Sequence, residues 1–330
     1  MGLYQAFQLG LLGLSCRIID VLPRVGGQCS QLYPDKPIYD IPGLPRTTGL
    51  ELIERLQQQL APFQTAIDLG QQVAELQATP DGDFVARTSR GLTYRAQTVF
   101  IAAGVGAFVP RALALEGLNN VAGVFHATDA LPPIPQTAHM VVTGGDALIL
   151  DALRQGLAQP VASLTLLHRR DKLELDPIDA DWLQAQIRTG RIRFAVGQPI
   201  GMQAEHGQLR ALQIAPPEGH PLTLPCDVLV QCLGLSPKLG PVASWGLAMS
   251  RRQVEVNTRD FGTSVPGIYA VGDVNHYPGK RKLIACGFHE ATLAAYGAAE
   301  RLSGGPITLE YTTSSARLQA RLQVGNPTQP

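Results

Sequence analysis

Apolar residues recur near the start of the chain with the spacing of a helix, and a short apolar strand follows. Four large apolar side chains share one face of a helix predicted over residues 2–14: Leu3, Phe7, Leu11 and Leu14. A strand is predicted over residues 16–19, and Asp20 stands directly after it. A helix, a strand and a terminal acid in this order are typical of the second half of a nucleotide-binding βαβ unit.

Short apolar strands then alternate with helices over the rest of the chain. Strands are predicted over residues 84–87, 92–95, 98–102, 140–142, 163–167, 226–231 and 268–271. Helices are predicted over residues 50–60, 147–156 and 290–302, and turns over residues 143–146 and 234–237. The first two of these strands are expected to pair around a turn. This alternation favours the α/β class with parallel sheets.

A second strand–turn–helix–strand unit begins near residue 138. Its first strand runs into Thr143-Gly144-Gly145-Asp146, and a helix and another strand follow. The last predicted strand of the chain runs into Gly272-Asp273 and belongs with the first unit. We therefore predict two Rossmann-like three-layer domains, the second inserted in the first. The predicted bounds are residues 1–112 and 240–330 for the outer domain and residues 113–239 for the inserted domain.

The first strand of a complete βαβ unit would lie before Met1, together with most of the glycine turn that follows it. Only Gly2 could remain of that turn. The strand is central in a doubly wound sheet, so its neighbours would be left unpaired, and a bound pyrophosphate would lose N–H donors. We therefore expect the working protein to begin upstream, with Met1 at an internal position.

The residues that end the second strand of each unit differ in charge. Asp20 ends this strand in the first unit, whereas His168-Arg169-Arg170 ends it in the second. An acid accepts hydrogen bonds from ribose hydroxyls, and guanidinium groups bind a phosphate through a planar fork. Either feature alone is more often a structural acid or a solvated loop. Their equivalent positions in two units favour FAD or NAD in the first, and NADP on Gly144 and Gly145 in the second.

Composition and charge exclude several classes of function. The chain has 330 residues, of which 45% are hydrophobic and 16% are charged, and its formal net charge is zero. These values are typical of a globular enzyme and give no overall attraction to nucleic acid or to a membrane surface. No apolar run has membrane-spanning length and no secretory signal is recognisable, so we expect a cytoplasmic protein.

The five cysteines are scattered, and none forms a Cys-x-x-Cys pair: Cys16, Cys29, Cys226, Cys232 and Cys286. A dithiol relay needs such a pair, so reduction of a protein disulfide is not expected. The few histidines have no metal-ligand spacing, and no Ser-His-Asp arrangement is recognisable. A metal centre and a hydrolase are therefore not expected either.

Several motifs together are similar to the thioredoxin reductase superfamily. They are the Gly26-Gly27-Gln28 loop, His168-Arg169-Arg170, and the string Thr-Ser-Val-Pro-Gly-Ile-Tyr-Ala-Val-Gly-Asp that ends at Asp273. Three further stretches, residues 32–40, 277–284 and 311–315, resemble the thioredoxin-reductase-like ferredoxin–NADP reductases of bacteria. This resemblance covers essentially the whole chain. It implies a homodimer of two-domain subunits with FAD and NADP(H).

The resemblance also implies roles for individual residues. Asp20 would hold the adenosine ribose of FAD, Asp273 its ribitol chain, and Arg169 and Arg170 the 2′-phosphate of NADP. Further positions implied for FAD are Gly2, Gly26, Gly27, Gln28, Tyr33, Tyr39, Val73, Phe108, Thr313 and Ser314. Of the two tyrosines, Tyr39 is favoured as the aromatic that stacks on the isoalloxazine. No side chain is assigned a catalytic role, since the chemistry belongs to the cofactors.

The implied reaction is hydride transfer between NADPH and flavin, with single-electron transfer to ferredoxin or flavodoxin. Ferredoxins are typically acidic, so a basic docking surface is expected. Lys280-Arg281-Lys282 is the best candidate for this surface, against the alternative of an ordinary solvated loop.

The glycine turn of the second unit departs from the Gly-Gly-Gly-Asp-Ser-Ala pattern that the resemblance implies. Thr143 replaces a turn glycine, and Leu148 is expected to crowd the helix against its strand. This departure and the missing first strand leave a rival hypothesis. The chain would then be an N-terminally truncated or degenerate flavoprotein that binds a nucleotide or a partner without efficient turnover.

Overall fold

The computed structural model describes residues 1–127 and 129–324, without the side chains of Phe108 and Pro237. Its α-helices, numbered in chain order, are α1 (Gly2–Leu11), α2 (Gln28–Gln31), α3 (Gly49–Leu60), α4 (Leu148–Leu157), α5 (Pro177–Arg188), α6 (Ile284–Ser303) and α7 (Ala316–Arg321). No helix within the described residues combines the length and the apolar character needed to cross a bilayer.

The strands are short, and most of them belong to small sheets. In chain order they are β1 (Arg17–Ile19), β2 (Pro37–Ile38), β3 (Thr47–Thr48), β4 (Ala66–Asp68), β5 (Val73–Ala78), β6 (Phe84–Thr88), β7 (Thr93–Ala96), β8 (Val99–Ile101), β9 (Ala107–Pro110), β10 (Val124–His126), β11 (His139–Gly144), β12 (Ser163–His168), β13 (Arg193–Val196), β14 (Gln198–Glu205), β15 (Gln208–Ala215), β16 (Leu222–Pro225), β17 (Val228–Cys232), β18 (Leu235–Lys238), β19 (Met249–Ser250), β20 (Gln253–Glu255), β21 (Ile268–Ala270) and β22 (Asn275–His276).

The chain forms two compact units. The outer unit comprises Met1–Ala107 and Pro237–Pro330, and the inserted unit comprises Phe108–Ser236. The chain passes from one unit to the other within β9 and returns within β18. Residues 234–237, predicted as a turn, therefore lie largely in a strand.

The inserted unit has three layers around a parallel sheet with the strand order β10-β17-β11-β12-β13. Helix α4 covers one face of this sheet, where Ile149 and Leu153 pack against Met140 and Val142 of β11. The antiparallel strands β14, β15 and β16 cover the other face, where Leu212 joins the cluster around Val141. Coverage on both faces explains why β11 reads as a continuous apolar run.

The outer unit contains two separate parallel pairs of strands. Strand β1 pairs with β4, and β8 pairs with β21. No strand within residues 1–127 and 129–324 joins one pair to the other. Strands β6 and β7 pair antiparallel around a turn, as predicted, and β5 extends them to a three-stranded sheet.

Helices α1, α3 and α6 form the apolar core of the outer unit. Leu3 and Phe7 of α1 pack in one cluster with Leu52 and Leu56 of α3. Helix α3 begins with a capping box, in which the Thr48 side chain accepts from the Glu51 N–H and the Glu51 carboxylate accepts from the Thr48 N–H. Helix α6 buries a stripe of alanines and begins at Ile284, whereas the sequence predicted Glu290.

Candidate nucleotide sites

The predicted flavin residues of the outer unit come from distant parts of the chain and meet beside α2. Gln28, the first residue of α2, donates from Nε2 to Oδ2 of Asp273 at 3.3 Å. Burial and the nearby Cys29 and Asp273 raise the pKa of Tyr33 to about 12, so the phenol stays protonated. The structure therefore brings Gln28 and Asp273 together, although they are 245 positions apart in the sequence.

Asp20 follows β1, as predicted, and its carboxylate is partly buried. Burial raises the pKa of Asp20, while a hydrogen bond from the Leu22 N–H at 3.0 Å opposes the rise. The Asp20 carbonyl accepts from the Gln71 N–H at 2.9 Å. A half-buried carboxylate at the carboxyl end of a parallel strand is placed to accept from sugar hydroxyls.

The N-terminus of α1 faces the same group of acids. Helix α1 starts at Gly2 and has no side-chain cap, so its first N–H groups lack a side-chain acceptor. Burial lowers the pKa of the Met1 amino group, and the nearby Cys29, Asp273 and Asp20 oppose this effect. An uncapped helix N-terminus attracts an anionic group such as a pyrophosphate.

Other residues predicted for FAD are less clearly placed. Tyr39 is 66% exposed, and both Thr313 and Ser314 are exposed. Within the described residues, none of these three has a hydrogen bond to Gln28 or Asp273. Val73 is half-buried at the start of β5. The side chain of Phe108 lies outside the part of the chain that the structure describes.

Glu290 is a buried charged residue in this region that was not predicted from the sequence pattern. Its carboxylate is fully buried and accepts a hydrogen bond from the Gly272 N–H at 2.7 Å, next to Asp273. Glu290 lies at helical spacing from Gly287 and Ala294 on the buried face of α6. A lone acid in an otherwise small and apolar stripe is a signal that could have revealed it.

The predicted docking surface at residues 280–282 is wrong for Lys280. The side chain of Lys280 is only 6% exposed, and its ammonium group forms an ion pair with Glu290. It also donates to the Gly272 carbonyl at 2.8 Å. Arg281 and Lys282 remain exposed. The sequence does not distinguish a buried lysine from exposed ones in a basic run, because the difference depends on a partner ten residues away.

In the inserted unit, the glycine turn lies between β11 and α4. Gly144 is the last residue of β11 and pairs with Cys232 of β17. A Cβ atom on Gly144 would lie 2.4 Å from the Cys232 carbonyl oxygen and 2.8 Å from Cγ2 of Ile149. Only glycine fits here without a backbone shift, as the close approach of the helix to the sheet requires.

We expect Gly144→Ala to destabilise the protein by about 1–3 kcal/mol, because the clashing oxygen belongs to the backbone. It should also weaken NADPH binding by moving the turn. Gly305→Ala is the matched control, since nothing lies within 4 Å of its Cβ position. Urea unfolding and NADPH titration of both variants check this prediction. Equal behaviour of the two variants would contradict it.

The predicted crowding of this turn is also wrong. Thr143 is not a turn residue but a buried residue of β11, only 4% exposed. Leu148 is 45% exposed, so it points away from the sheet, and Ile149 makes the helix–strand contact instead. Helix α4 therefore approaches β11 closely at this turn, without the predicted crowding by Leu148.

His168 ends β12 and Arg169 and Arg170 follow it, and the three side chains have different surroundings. The ring of His168 lies against the turn, where a Cβ on Gly145 would be 2.3 Å from its Cε1. Burial, followed by the cation of Arg169, lowers the pKa of His168, so the ring is neutral near pH 7. Arg169 and Arg170 are exposed. Two guanidinium groups are thus free to meet a phosphate while the imidazole packs on the turn.

The thiols of Cys226 and Cys232 are poorly suited to disulfide chemistry. Cys226 and Cys232 are buried, and burial raises the pKa of both, to about 12 for Cys232. A thiol must ionise to attack a disulfide.

Taken together, the fold and the two sites define a nucleotide-binding protein of the α/β class, with acids at one site and arginines at the other.

Comparison with known proteins identifies the family. Residues 3–299 match the model of the pyridine nucleotide-disulphide oxidoreductase family, and the chain belongs to this family. A ferredoxin–NADP reductase of Acidovorax sp. (strain JS42) is 52% identical over 329 residues, which cover 98% of this chain and 93% of that protein. One from Paracidovorax citrulli (strain AAC00-1) is 50% identical over 342 residues, covering 100% of this chain and 95% of that protein.

A solved structure shares the fold at low sequence identity. The thioredoxin reductase of Lactococcus lactis aligns with a TM-score of 0.54 and 18% identity, over 92% of this chain and 96% of that one. The predicted family resemblance and the predicted α/β fold class with two domains are confirmed. The chain is accordingly an oxidoreductase.

Proposed function

We propose that this chain is an FAD-dependent ferredoxin–NADP reductase. The observation that carries the proposal is the match, at about half identity and along nearly the whole chain, to relatives with that name. Bound flavin would exchange a hydride with NADPH and electrons singly with an iron–sulfur protein. The residues of the chain would bind and orient the two cofactors and limit side reactions of the bound flavin and nucleotide.

We assign FAD to the outer unit. Its hydrogen-bonding groups fit FAD: the carboxylates of Asp20 and Asp273 would accept from sugar hydroxyls, and the uncapped N-terminus of α1 at Gly2 would donate N–H groups to a pyrophosphate. Gln28 and Tyr33 lie beside Asp273, where they would border the flavin end of the cofactor. Tyr39 is exposed and would cover the ring by stacking, with Thr313 and Ser314 on the opposite side.

We assign NADP(H) to the inserted unit. The turn at Gly144 and Gly145 lets the chain approach a pyrophosphate closely, because no side chain intervenes. Arg169 and Arg170 would bind the 2′-phosphate through charge-assisted hydrogen bonds. This site has no acid in the position of Asp20, since His168 ends β12 and Arg169 follows it.

Ferredoxin is the proposed electron-transfer partner, with flavodoxin as a second acceptor, and the protein is proposed to be a homodimer in the cytoplasm. The burial of Lys280 removes it from any docking surface. The exposed Arg281 and Lys282 remain available to an acidic partner.

NADPH-dependent reduction of a ferredoxin, coupled to cytochrome c reduction, tests this proposal. We expect turnover that requires ferredoxin and that is slower when NADH replaces NADPH. Flavodoxin in place of ferredoxin tests the second acceptor. A protein that binds FAD and NADPH but reduces neither acceptor would instead support the hypothesis of a degenerate flavoprotein.

A further inference from the structure

The carboxylate of Glu290 is fully buried and fully hydrogen-bonded. Burying a carboxylate is costly unless donors satisfy its oxygens. One oxygen accepts from the Gly272 N–H at 2.7 Å and from Nδ2 of Asn275 at 2.8 Å. The other accepts from the Tyr277 hydroxyl at 2.9 Å and from the ammonium group of Lys280. This arrangement fixes the segment from 272 to 280 against α6.

The same contacts hold Gly272 on both sides. Its N–H donates to Glu290, and its carbonyl accepts from Nζ of Lys280 at 2.8 Å. The φ angle of Gly272 is 81°, in the left-handed region that favours glycine. The peptide groups that lead into Asp273 are therefore held in one orientation by Glu290 and Lys280, which also form an ion pair with each other.

Gln253 holds the residues on the other side of Asp273. Its Nε2 donates to the carbonyl of Asp273 at 3.0 Å and to the carbonyl of Asn275 at 2.7 Å. Asn275 also donates from Nδ2 to the carbonyl of Ala270 at 2.8 Å. The backbone before and after Asp273 is thus anchored by side chains. We refer to Gln253, Lys280 and Glu290 as the clamp.

The carboxylate of Asp273 is left mostly free. Within the described residues it accepts one hydrogen bond, from Nε2 of Gln28 at 3.3 Å. A carboxylate has about four acceptor positions, so most of this capacity is available to a ligand. A fixed backbone that carries a free acceptor is preorganised for binding, because little conformational entropy is lost when the ligand binds.

We propose that Glu290 and Lys280 are positioning residues that aim the Asp273 carboxylate at the hydroxyl groups of the flavin cofactor. The clamp thereby sets the affinity for FAD without touching it. This inference rests on the assignment of FAD to the outer unit.

The test compares FAD release from three variants of the full-length holoprotein. Glu290→Gln keeps the side-chain size but replaces one acceptor oxygen by a donor, and Tyr277→Phe removes a single donor to Glu290. Glu300→Gln, on the same helix, is the control. Flavin fluorescence after serial dilution gives the dissociation constant. We expect about tenfold weaker FAD binding for Glu290→Gln, a smaller loss for Tyr277→Phe and no change for Glu300→Gln.

A double-mutant cycle shows whether Glu290 acts through Asp273. Alone, Asp273→Asn should weaken FAD binding, and adding Glu290→Gln should then change the dissociation constant by less than about twofold. Independent, multiplying effects would overturn the proposal, as would unchanged FAD binding in Glu290→Gln. If Glu290→Gln does not fold, the cycle with Tyr277→Phe decides by the same criterion. A parent chain that takes up no FAD would overturn the proposed function itself, a separate result.

Discussion

Lys280→Met is expected to lower the free energy of unfolding by about 3–5 kcal/mol. The substitution leaves the buried carboxylate of Glu290 without its cationic partner, and removing one member of a buried ion pair costs this much. It also leaves the Gly272 carbonyl without the hydrogen bond from Nζ. Urea unfolding at a fixed FAD concentration measures the loss.

Lys282→Met is the control for this prediction, because Lys282 is exposed two positions further along the chain. Its unfolding free energy should stay within about 0.5 kcal/mol of the parent value. The double variant Lys280→Met with Glu290→Gln should lose less than the sum of the two single losses, since the uncompensated charge is gone. Equal stability of the Lys280 and Lys282 variants would contradict the buried ion pair.

The second large effect concerns the choice of nicotinamide nucleotide. We expect the double variant Arg169→Ala with Arg170→Ala to raise the KM for NADPH about 100-fold or more. Each charge-assisted hydrogen bond to the 2′-phosphate contributes about 1.5–3 kcal/mol, and about 1.4 kcal/mol corresponds to tenfold. The KM for NADH should change little, because NADH lacks this phosphate. Steady-state kinetics with both nucleotides, at two salt concentrations, provide the measurement.

Arg188→Ala is the matched control, since Arg188 is an exposed arginine of the same unit at the end of α5. It should leave both KM values unchanged. If the double variant raised the KM values for NADPH and NADH equally, the arginines would not recognise the 2′-phosphate. The presence of Asp20 in one unit and of Arg169 and Arg170 in the other would then need another explanation.

The sequence pattern predicts local elements well where burial is uniform. Strand β11 is an apolar run followed by glycines, and the structure places it in the centre of the inserted sheet. The positions of Asp20 and His168 at the ends of strands were predicted correctly, because a strand end is visible in the pattern. The sheet formed by β14, β15 and β16 was missed, since its strands mix polar and apolar residues on a half-covered face.

Contacts between distant residues could not be predicted in this way. The hydrogen bond between Gln28 and Asp273 joins residues that are 245 positions apart in the sequence. It forms because the chain returns to the outer unit after the inserted unit. Lys280 was predicted to belong to an exposed basic surface, because a run of basic residues does not show that Glu290 is the buried partner of Lys280. Leu148 looked intrusive because the pattern alone did not reveal that Ile149, and not Leu148, faces the strand.

Anaerobic titration of the purified protein with NADPH, and with NADH in parallel, tests the central proposal most directly. Absorbance in the flavin band reports reduction of the bound cofactor. The two assigned sites predict bleaching by NADPH at a clearly lower concentration than by NADH, because only NADPH carries the 2′-phosphate that we propose Arg169 and Arg170 bind. Bound flavin that neither nucleotide bleaches would contradict an active reductase.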